Sequence, residues 1–269
     1  MLTDSRPTVG PLEVRRRGPV ATVTLHGTGP GNALGGAVFT GLPETLTGLA
    51  GDDTVSVVVL RGAGATFSVG LDLRWYLPRY RRITRLGDDR AAARRALYEQ
   101  TRVVQDAISA VEDCPLPVVA AVTGACVGAA LELVAACDVR VATADAVFTA
   151  REVDIDLVAD LGLLQRLPRI VGEGTTACLA LTGAELGAAE ALRVGLVSAV
   201  YDTPAGLDQV ADVIAGHERH VLAGIKHVLH ASRDLPVARG LELSAAWTAA
   251  FMPTTTVTER LRERLGGTS

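Results

Sequence analysis

Buried-strand patterns and helical patterns alternate along the first part of the chain. Val55–Leu60 and Val118–Val122 are uninterrupted apolar runs. Runs of this length are typical of strands that are buried on both faces of a sheet. Between them, residues 88–112 form a long, largely polar segment that predicts a helix. The alternation predicts an α/β core made of strands joined by right-handed crossover helices.

The segments on either side of this core carry other patterns. Leu12–Arg17 and Val20–His26 are strand-like runs that meet at a Gly-Pro pair, which predicts a hairpin. Gly35–Ala50 has a weak helical pattern, and Pro43 predicts a break in it. From residue 162 onward the pattern is mostly helical, and no internal repeat or low-complexity linker is present.

The most apolar segment, Val118–Cys137, holds a single charged side chain, Glu132. Twenty apolar residues are long enough to span a bilayer. However, glycines interrupt this segment, and its composition changes from β-branched residues to alanine and leucine, which predicts a buried strand, a turn and a buried helix. No membrane span is expected. A lone buried charge is costly unless it is paired, hydrated or functional, so Glu132 is a candidate catalytic residue.

The turn that precedes Glu132 has a composition suited to binding a negatively charged oxygen. Residues 124–130 carry small side chains at most positions. Backbone N–H groups can therefore approach a ligand closely at the start of the helix. Two such groups directed at one oxygen form an oxyanion hole.

Charge and cysteine usage narrow the class of protein. The net charge of −4 and the pI near 5.8 give no general attraction to phosphate backbones or anionic membranes, so nucleic acid and membrane partners are not expected. The four cysteines lack Cys-x-x-Cys spacing and are predicted to be buried thiols. The first ten residues resemble neither a secretory signal nor an organelle presequence. These features together predict a cytoplasmic protein.

No metal or nucleotide-cofactor site is predicted. If Asp154 opened a calcium-binding loop, Ala159 and Gln165 would stand where glycine and glutamate are required. Two pairs of histidines at helical spacing lack a carboxylate that would complete a ligand set. The turn 62–64 follows a strand but lacks the third glycine of a dinucleotide-binding fingerprint.

Two segments resemble the signatures of the crotonase superfamily. Val119–Asp138 resembles the Gly-rich turn that enters a helix bearing a catalytic acid. Phe67–Leu73 resembles the turn that supplies the first oxyanion N–H group and holds the adenine of coenzyme A. The likeness extends over residues 12–201 and is weaker beyond. It implies an α/β fold, with a crotonase-like (ββα)n spiral core at residues 1–200 and a C-terminal helical oligomerisation region at 201–269.

Within that superfamily, residues 151–168 look most like the dienoyl-CoA isomerase branch. Asp160 carries this likeness, because enoyl-CoA hydratases usually have glycine there. The resemblance implies that Glu152 exchanges a proton beside the thioester and that Asp160 exchanges one at the far end of the diene. The implied activity is conversion of a 3,5-dienoyl-CoA to a 2,4-dienoyl-CoA in fatty acid metabolism, with Glu132 as the third catalytic acid.

The resemblance also assigns the groups that hold the substrate. It places the oxyanion N–H groups on Leu71 and Ala129. The implied substrate-binding residues are Ser68, Val69, Gly70, Leu73, Gly128 and Lys226. A solvent-facing Lys226 is an equally good interpretation. The substrate is an acyl-CoA thioester, and because coenzyme A is part of it, no separate cofactor is expected. The superfamily further implies a homotrimer or a dimer of trimers.

Besides hydrolase or other enolate chemistry on a specialised acyl-CoA, two alternatives remain open from the sequence. Dienoyl-CoA isomerases typically carry aspartate at the position of Glu132, whereas hydratases carry glutamate. The pair Glu132 and Glu152 therefore also fits a 2-enoyl-CoA hydratase, in which two glutamates hold and activate a water molecule. The second alternative is a non-catalytic acyl-CoA-binding subunit, although such a protein would be expected to have lost one of the three acids.

Overall fold

The first strands form the predicted hairpin. The computed structural model describes residues 11–29, 31–84, 90–252 and 254–266. Strand β1 (Leu12–Arg17) pairs antiparallel with β2 (Val20–Leu25). Gly18, at the connection, has φ +57°, a left-handed conformation that glycine adopts without steric cost. The predicted hairpin is confirmed.

The remaining strands complete two sheets. They are β3 (Val57–Gly62), β4 (Val118–Val122), β5 (Ala125–Val127), β6 (Val139–Thr143), β7 (Val147–Thr149), β8 (Glu185–Gly187) and β9 (Ala199–Tyr201). The larger sheet has the order β1-β2-β3-β4-β6-β9, and every pairing after the hairpin is parallel. The smaller sheet has the order β5-β7-β8. The predicted α/β class with parallel strands is confirmed.

The chain forms two compact units, Met1–His217 and Glu218–Ser269. The helices of the first unit are α1 (Gly36–Ala50), α2 (Leu73–Thr84), α3 (Arg90–Asp113), α4 (Ala129–Ala135), α5 (Leu163–Arg166), α6 (Pro168–Val171), α7 (Glu173–Thr182), α8 (Ala188–Arg193) and α9 (Asp208–Ala215). Those of the second are α10 (Arg219–Ala231), α11 (Val237–Phe251) and α12 (Thr254–Arg264). The predicted start of α3 at residue 88 lies outside the described residues. The predicted boundary after residue 200 falls within β9, which pairs with β6 and so extends the first unit beyond it.

Strand β3 shows why the central strands read as continuous apolar runs. Val58 and Leu60 belong to the main hydrophobic core, whereas Val57 and Val59 belong to a second core with Leu207 and Ala211. Successive side chains of a strand point to opposite faces of the sheet. Because both faces of β3 are covered at Val57–Leu60, these four positions are all apolar.

Helix α1 contradicts the predicted break at Pro43. The helix continues through this residue, and it buries Val38, Phe39 and Leu42 before it and Leu46 after it. A proline inside a helix removes one backbone hydrogen bond and crowds the preceding turn. Burial of apolar side chains on both sides of Pro43 offsets that cost and keeps the helix continuous.

The prediction of buried thiols is correct for Cys114, Cys126 and Cys137 and wrong for Cys178, which is exposed. Helix α7 buries Thr176 and Leu179, three positions apart on one face. Cys178 lies on a different face of the same helix. Among the described helices, none has the combination of length and apolar character needed to cross a membrane.

Within the second unit, helices α10 and α11 pack together at a glycine. A methyl group on Gly224 would overlap the indole of Trp247, so this position needs glycine. The Trp247 ring lies 4.9 Å from the ring of His227, centre to centre. Lys226 is 6% exposed, so its interpretation as a solvent-facing lysine is wrong. Its assignment to the substrate stays a prediction.

Candidate active site

A cavity of about 670 Å³ in the first unit collects most of the predicted site residues. Those that line it are Val69, Gly70, Leu71, Leu73, Gly128, Ala129, Glu132, Glu152 and Asp160. Ser68 is fully buried, and its hydroxyl accepts a hydrogen bond from the N–H of Gly70 at 3.0 Å. The Ser68 side chain therefore supports the turn.

The first turn of the site leaves the N–H group of Leu71 available. The N–H of Leu34 donates to the carbonyl of Gly70 at 2.7 Å, and the N–H of Asp72 donates to the carbonyl of Leu34 at 2.9 Å. Among the described residues, nothing accepts from Leu71, which lies between them. Asp72 also accepts the N–H of Arg74 at 2.9 Å, so its carboxylate fixes the start of α2 beside the turn.

The second turn leaves the N–H group of Ala129 available in the same cavity. Gly128 has φ +54°, and its own N–H donates to the carbonyl of Thr149 at 2.9 Å. Ala129 follows as the first residue of α4, where no preceding turn supplies an acceptor. Its N–H has no acceptor among the residues that the structure describes.

Backbone pairing brings the two turns together. The N–H of Ser68 donates to the carbonyl of Ala125 at 2.9 Å, and the N–H of Val127 donates to the carbonyl of Ser68 at 3.0 Å. A Cβ atom on Gly70 would lie 2.6 Å from the carbonyl oxygen of Val127 and 3.6 Å from the nitrogen of Ala129. Only glycine permits this approach, which brings the backbone of the first turn to the N–H group of the second.

Glu132 is fully buried on α4, facing the other two acids. The N–H of Leu163 donates to its Oε2 at 3.2 Å, whereas its Oε1 has no described partner. Burial, and then the charge of Glu152, raises the pKa of Glu132 to about 8. Near neutral pH, Glu132 is therefore mainly protonated and can donate a hydrogen bond.

Glu152 lies in a short 3-10 turn, Glu152–Ile155, and its carboxylate lies over the second turn of the site. Its Oε1 is 2.8 Å from the position that a Cβ atom on Gly128 would occupy. Burial raises the pKa of Glu152, and the neighbouring carboxyl group of Glu132 opposes that rise. The glutamate pair thus holds a proton on Glu132 and leaves Glu152 as the group that ionises first.

Asp160 lies on another part of the cavity wall and is held through its backbone. The side-chain amide of Gln105, on α3, donates to the Asp160 carbonyl at 2.5 Å. Arg166 ties the following residues to the same helix, donating to Glu112 at 2.8 Å and to Ser109 at 3.0 Å. Partial desolvation raises the pKa of Asp160, although the residue remains exposed. A rise in pKa makes a carboxyl group a better proton acceptor and moves it toward the range in which general acid–base catalysis is efficient.

Three polar residues that α2 and α3 contribute to the cavity wall were not predicted from the sequence: Tyr76 on α2, and Gln100 and Thr101 on α3. Thr149, Arg151 and Glu185 also line the cavity and were not predicted. Both helices have many polar residues, so nothing in the sequence distinguished those that face a cavity from those that face solvent. Within the described ranges, no three His, Cys, Asp or Glu side chains are arranged to hold a metal ion.

The raised pKa of Glu132 predicts a pH-dependent stability. A buried carboxyl group whose pKa rises from 4.5 to about 8 stabilises the folded state only while it is protonated, so stability falls as the pH rises between these values. Glu132→Gln keeps an acceptor for the N–H of Leu163 but does not titrate. We expect this variant to exceed the wild type in free energy of unfolding by about 3 kcal/mol at pH 9, with a much smaller difference at pH 5.

Urea unfolding at pH 5, 7 and 9 measures this difference. Glu173→Gln, at an exposed position in the first turn of α7, is the matched control and is expected to follow the wild type. A difference between Glu132→Gln and the wild type that stays constant with pH would contradict the raised pKa.

Comparison with known proteins agrees with the fold. The family model for enoyl-CoA hydratase/isomerase matches residues 15–258. The chain belongs to this enzyme family. It is 40% identical to the peroxisomal Delta(3,5)-Delta(2,4)-dienoyl-CoA isomerase of Arabidopsis thaliana, over 82% of this chain and 81% of the relative.

Two further matches agree with the match to the plant isomerase. The chain is 35% identical to the mitochondrial Delta(3,5)-Delta(2,4)-dienoyl-CoA isomerase of Homo sapiens, over 87% of this chain and 73% of the relative. The crystal structure of enoyl-CoA hydratase from Thermoplasma volcanium superposes with a TM-score of 0.81 and 28% identity, over 94% of this chain and 96% of that structure. The crotonase-like fold is therefore confirmed.

The names of these relatives overturn the prediction of a cytoplasmic location. The plant isomerase is named as peroxisomal and the human one as mitochondrial. Cysteine usage separates oxidising from reducing compartments, and it does not distinguish one reducing compartment from another. The ten N-terminal residues that also supported the prediction lie outside the described part of the chain.

Proposed function

We propose that this enzyme is a dienoyl-CoA isomerase, which moves a proton from C2 to C6 of a 3,5-dienoyl-CoA and releases the 2,4-dienoyl-CoA. One observation carries the proposal: Asp160 lines the same cavity as Glu152 and the two available N–H groups of Leu71 and Ala129. Two proton-transfer groups and an anion site are what a proton shift along a conjugated thioester requires. The dienoyl-CoA isomerases among the relatives support the same reaction.

The two N–H groups would bind the thioester oxygen of the substrate. When C2 loses its proton, negative charge spreads from this oxygen along the conjugated chain. Donors that are already in position stabilise such a charge without reorganisation, which is often the largest single contribution to catalysis. In this assignment Leu71 and Ala129 act through backbone atoms, so their side chains are free to shape the cavity.

The two carboxylates would divide the proton transfer between them. Glu152, ionised and lying over Gly128, takes a proton from C2, and the C2–H electron pair becomes part of the extended dienolate. Asp160, protonated, gives a proton to C6, so that the double bonds move to C2–C3 and C4–C5. A proton returned from solvent to Asp160 and one released from Glu152 close the cycle. No redox step or further cofactor is needed.

Glu132 would adjust the pKa of Glu152. Because Glu132 is protonated near neutral pH, its unpartnered Oε1 can direct a proton toward the Glu152 carboxylate and so limit the rise of the Glu152 pKa. A catalytic base works best with a pKa near the working pH. Glutamate at this position, where the related isomerases typically carry aspartate, is compatible with the role.

Hydration of a 2-enoyl-CoA is the second candidate, and the pairing of Glu132 with Glu152 favours it. Two carboxyl groups at one end of a cavity can hold a water molecule and deliver its atoms across a double bond. However, hydration leaves Asp160 without a function, and the first relatives are named as isomerases.

Two further assignments accompany the proposal. We expect the adenine of coenzyme A at the Phe67–Leu73 turn, as the family resemblance implies, whereas the assignment of Lys226 to the substrate stays a prediction. We also expect a trimer or a dimer of trimers, because the second unit exposes large apolar side chains such as Val237 and Leu241 on α11. Sedimentation of the purified protein tests the oligomeric state.

A two-substrate assay tests the proposed reaction. Incubation of the enzyme with 3,5-octadienoyl-CoA is expected to produce the ultraviolet absorbance of a 2,4-dienoyl thioester, at a kcat/KM at least about tenfold above that for hydration of 2-octenoyl-CoA. Turnover of the enoyl thioester alone would replace the isomerase assignment with the hydratase one. Binding of both thioesters without turnover of either would favour the non-catalytic alternative.

A further inference from the structure

The loop that follows β2 decides the direction of the Leu71 N–H group. Leu34, in this loop, donates its N–H to the Gly70 carbonyl at 2.7 Å and accepts the N–H of Asp72 at 2.9 Å. The Gly70 carbonyl and the Leu71 N–H belong to one trans peptide group, in which the two point in opposite directions. Because Leu34 binds the carbonyl, the Leu71 N–H points away from the loop.

Two side-chain links hold this loop to the first turn of the site, one on either side of Leu71. Before Leu71, the side-chain amide of Asn32 donates to the Phe67 carbonyl at 2.7 Å. After it, the hydroxyl group of Thr28 donates to the Asp72 carboxylate. A neutral backbone hydrogen bond contributes little net stability, so the two backbone bonds alone hold the turn weakly. The side-chain links therefore add much of what fixes the turn in one position.

Asp72 is the residue at which the loop, the turn and helix α2 meet. It is 9% exposed. Besides the hydroxyl group of Thr28, its carboxylate accepts the N–H of Arg74 at 2.9 Å and, at 3.4 Å, the N–H of Trp75. One side chain thus fixes the start of the helix relative to the loop, and the backbone of Leu71 directly precedes it in the chain.

The charge of Asp72 does not explain its place beside an oxyanion site. A carboxylate near a developing negative charge disfavours that charge. The hydrogen bonds that the side chain accepts, in contrast, hold the adjoining backbone where it is. The contribution of Asp72 to the site is therefore one of position, and a neutral side chain that makes the same bonds should supply it.

A small displacement of the Leu71 N–H is expected to slow the reaction without weakening substrate binding. A donor stabilises an oxyanion when it lies about 2.7–3.1 Å from the position of that oxygen. A misplacement of about 1 Å can cost about a hundredfold in rate. In the bound substrate the thioester oxygen is nearly neutral, and its charge develops only in the transition state. The cost therefore falls on kcat rather than on KM.

We infer that Thr28 and Asp72 are positioning residues for the oxyanion site, and that their hydrogen bond holds the Leu71 N–H where the charge on the thioester oxygen develops. This inference rests on the proposed function in one respect, the assignment of the Leu71 N–H to that oxygen. Neither Thr28 nor Asp72 is among the residues that line the cavity. Both therefore act through the backbone of the turn and not by touching the substrate.

Steady-state kinetics of variants at the two positions provide the first test. Thr28→Val removes the hydroxyl group with little change of shape, and it is expected to lower kcat about tenfold with KM within about twofold. Asp72→Ala is expected to lower kcat about a hundredfold, the cost of about one oxyanion donor. Asp72→Asn keeps an acceptor for the N–H of Arg74 and can donate to Thr28, so it should recover most of that loss. In Asp72→Ala, adding Thr28→Val should have no further effect, because the two residues share one bond.

Binding of unreactive thioesters tests the positioning apart from turnover. 3-Oxooctanoyl-CoA forms an enolate that is followed by its ultraviolet absorbance, whereas octanoyl-CoA offers only a neutral thioester oxygen. The wild type is expected to bind the enolate at least about tenfold more tightly than octanoyl-CoA. Thr28→Val and Asp72→Ala are expected to lose most of this preference while binding octanoyl-CoA as the wild type does. A general loss of stability would lower both affinities together.

Thr47→Val is the matched control. Thr47 is exposed on α1, and its hydroxyl group donates to the Pro43 carbonyl of the same helix at 2.8 Å. This variant is expected to keep both kcat and the preference for the enolate.

Several results would overturn the inference. They are equal affinity of the wild type for the two thioesters, a preference and kcat that survive in Thr28→Val and Asp72→Ala, and a parallel loss of affinity for both thioesters. A kcat in Asp72→Asn as low as in Asp72→Ala would also overturn it, because the charge and not the position would then matter. If the variants lose the preference for the enolate but the wild type does not isomerise 3,5-dienoyl-CoA, the proposed function fails and the positioning role stands.

Discussion

Replacing Glu152 with glutamine is expected to lower the rate of 3,5-dienoyl-CoA isomerisation by about a thousandfold, within the range that general acid–base groups contribute. Glutamine fills the same space over Gly128 but has no basicity with which to remove the C2 proton. The N–H groups of Leu71 and Ala129 stay in place, so the substrate should still bind. A fall in kcat with little change in KM is therefore expected.

Deuterium uptake at C2 provides the second measurement for this variant. In D2O, an ionised Glu152 that removes the C2 proton exchanges it with solvent, whether or not the double bonds move. We expect Glu152→Gln to lose this exchange together with isomerisation. Glu173→Gln on α7 is expected to retain both activities. Exchange at C2 that continues at the wild-type rate in Glu152→Gln would show that another group is the base.

The fold could be predicted from the sequence wherever burial controls the pattern. Val57–Leu60 of β3 and all of β4 are apolar because both faces of these strands are covered, so the strands are recognised without knowledge of their neighbours. The continuity of α1 through Pro43 could not be predicted, because it depends on tertiary packing of the residues around the proline. Local propensity is a weak guide where packing opposes it.

The acids of the site were predicted for two different reasons. Glu132 was recognised physically, as one charge in an apolar segment, and its complete burial confirms that reasoning. Glu152 and Asp160 lie in a segment rich in acids, where Asp154 and Asp156 are exposed and do not line the cavity. In the sequence, only the family resemblance distinguished Glu152 and Asp160 from Asp154 and Asp156.

The polar residues that α2 and α3 contribute to the cavity wall could not be predicted from the sequence. Gln100 and Gln105 lie on the same polar helix, yet one faces the cavity and the other binds the backbone of Asp160. Which face of α3 meets the cavity is decided by contacts with α2 and with the segment after Asp160. Contacts between distant segments leave no local signal in the sequence. Substrate specificity is therefore less predictable here than catalytic chemistry.

The change of Asp160 to asparagine is expected to separate the two halves of the reaction. Isomerisation should fall by about a hundredfold or more, because asparagine has no acidic proton to give to C6. Deuterium uptake at C2 should persist at nearly the wild-type rate, since Glu152 and the two N–H groups are unchanged. The bond from Gln105 goes to the Asp160 backbone, so the loop should keep its position in the variant.

Asp156→Asn is the matched control for this experiment. Asp156 is exposed near Asp160 and has φ +57°, a left-handed conformation that asparagine also accepts. This variant is expected to keep both activities. Isomerisation retained in Asp160→Asn would mean that C6 receives its proton from another donor, such as Tyr76 or water. Loss of C2 exchange in Asp160→Asn would mean that Asp160 also controls the first proton transfer. Only the loss of isomerisation with exchange intact assigns C2 to Glu152 and C6 to Asp160.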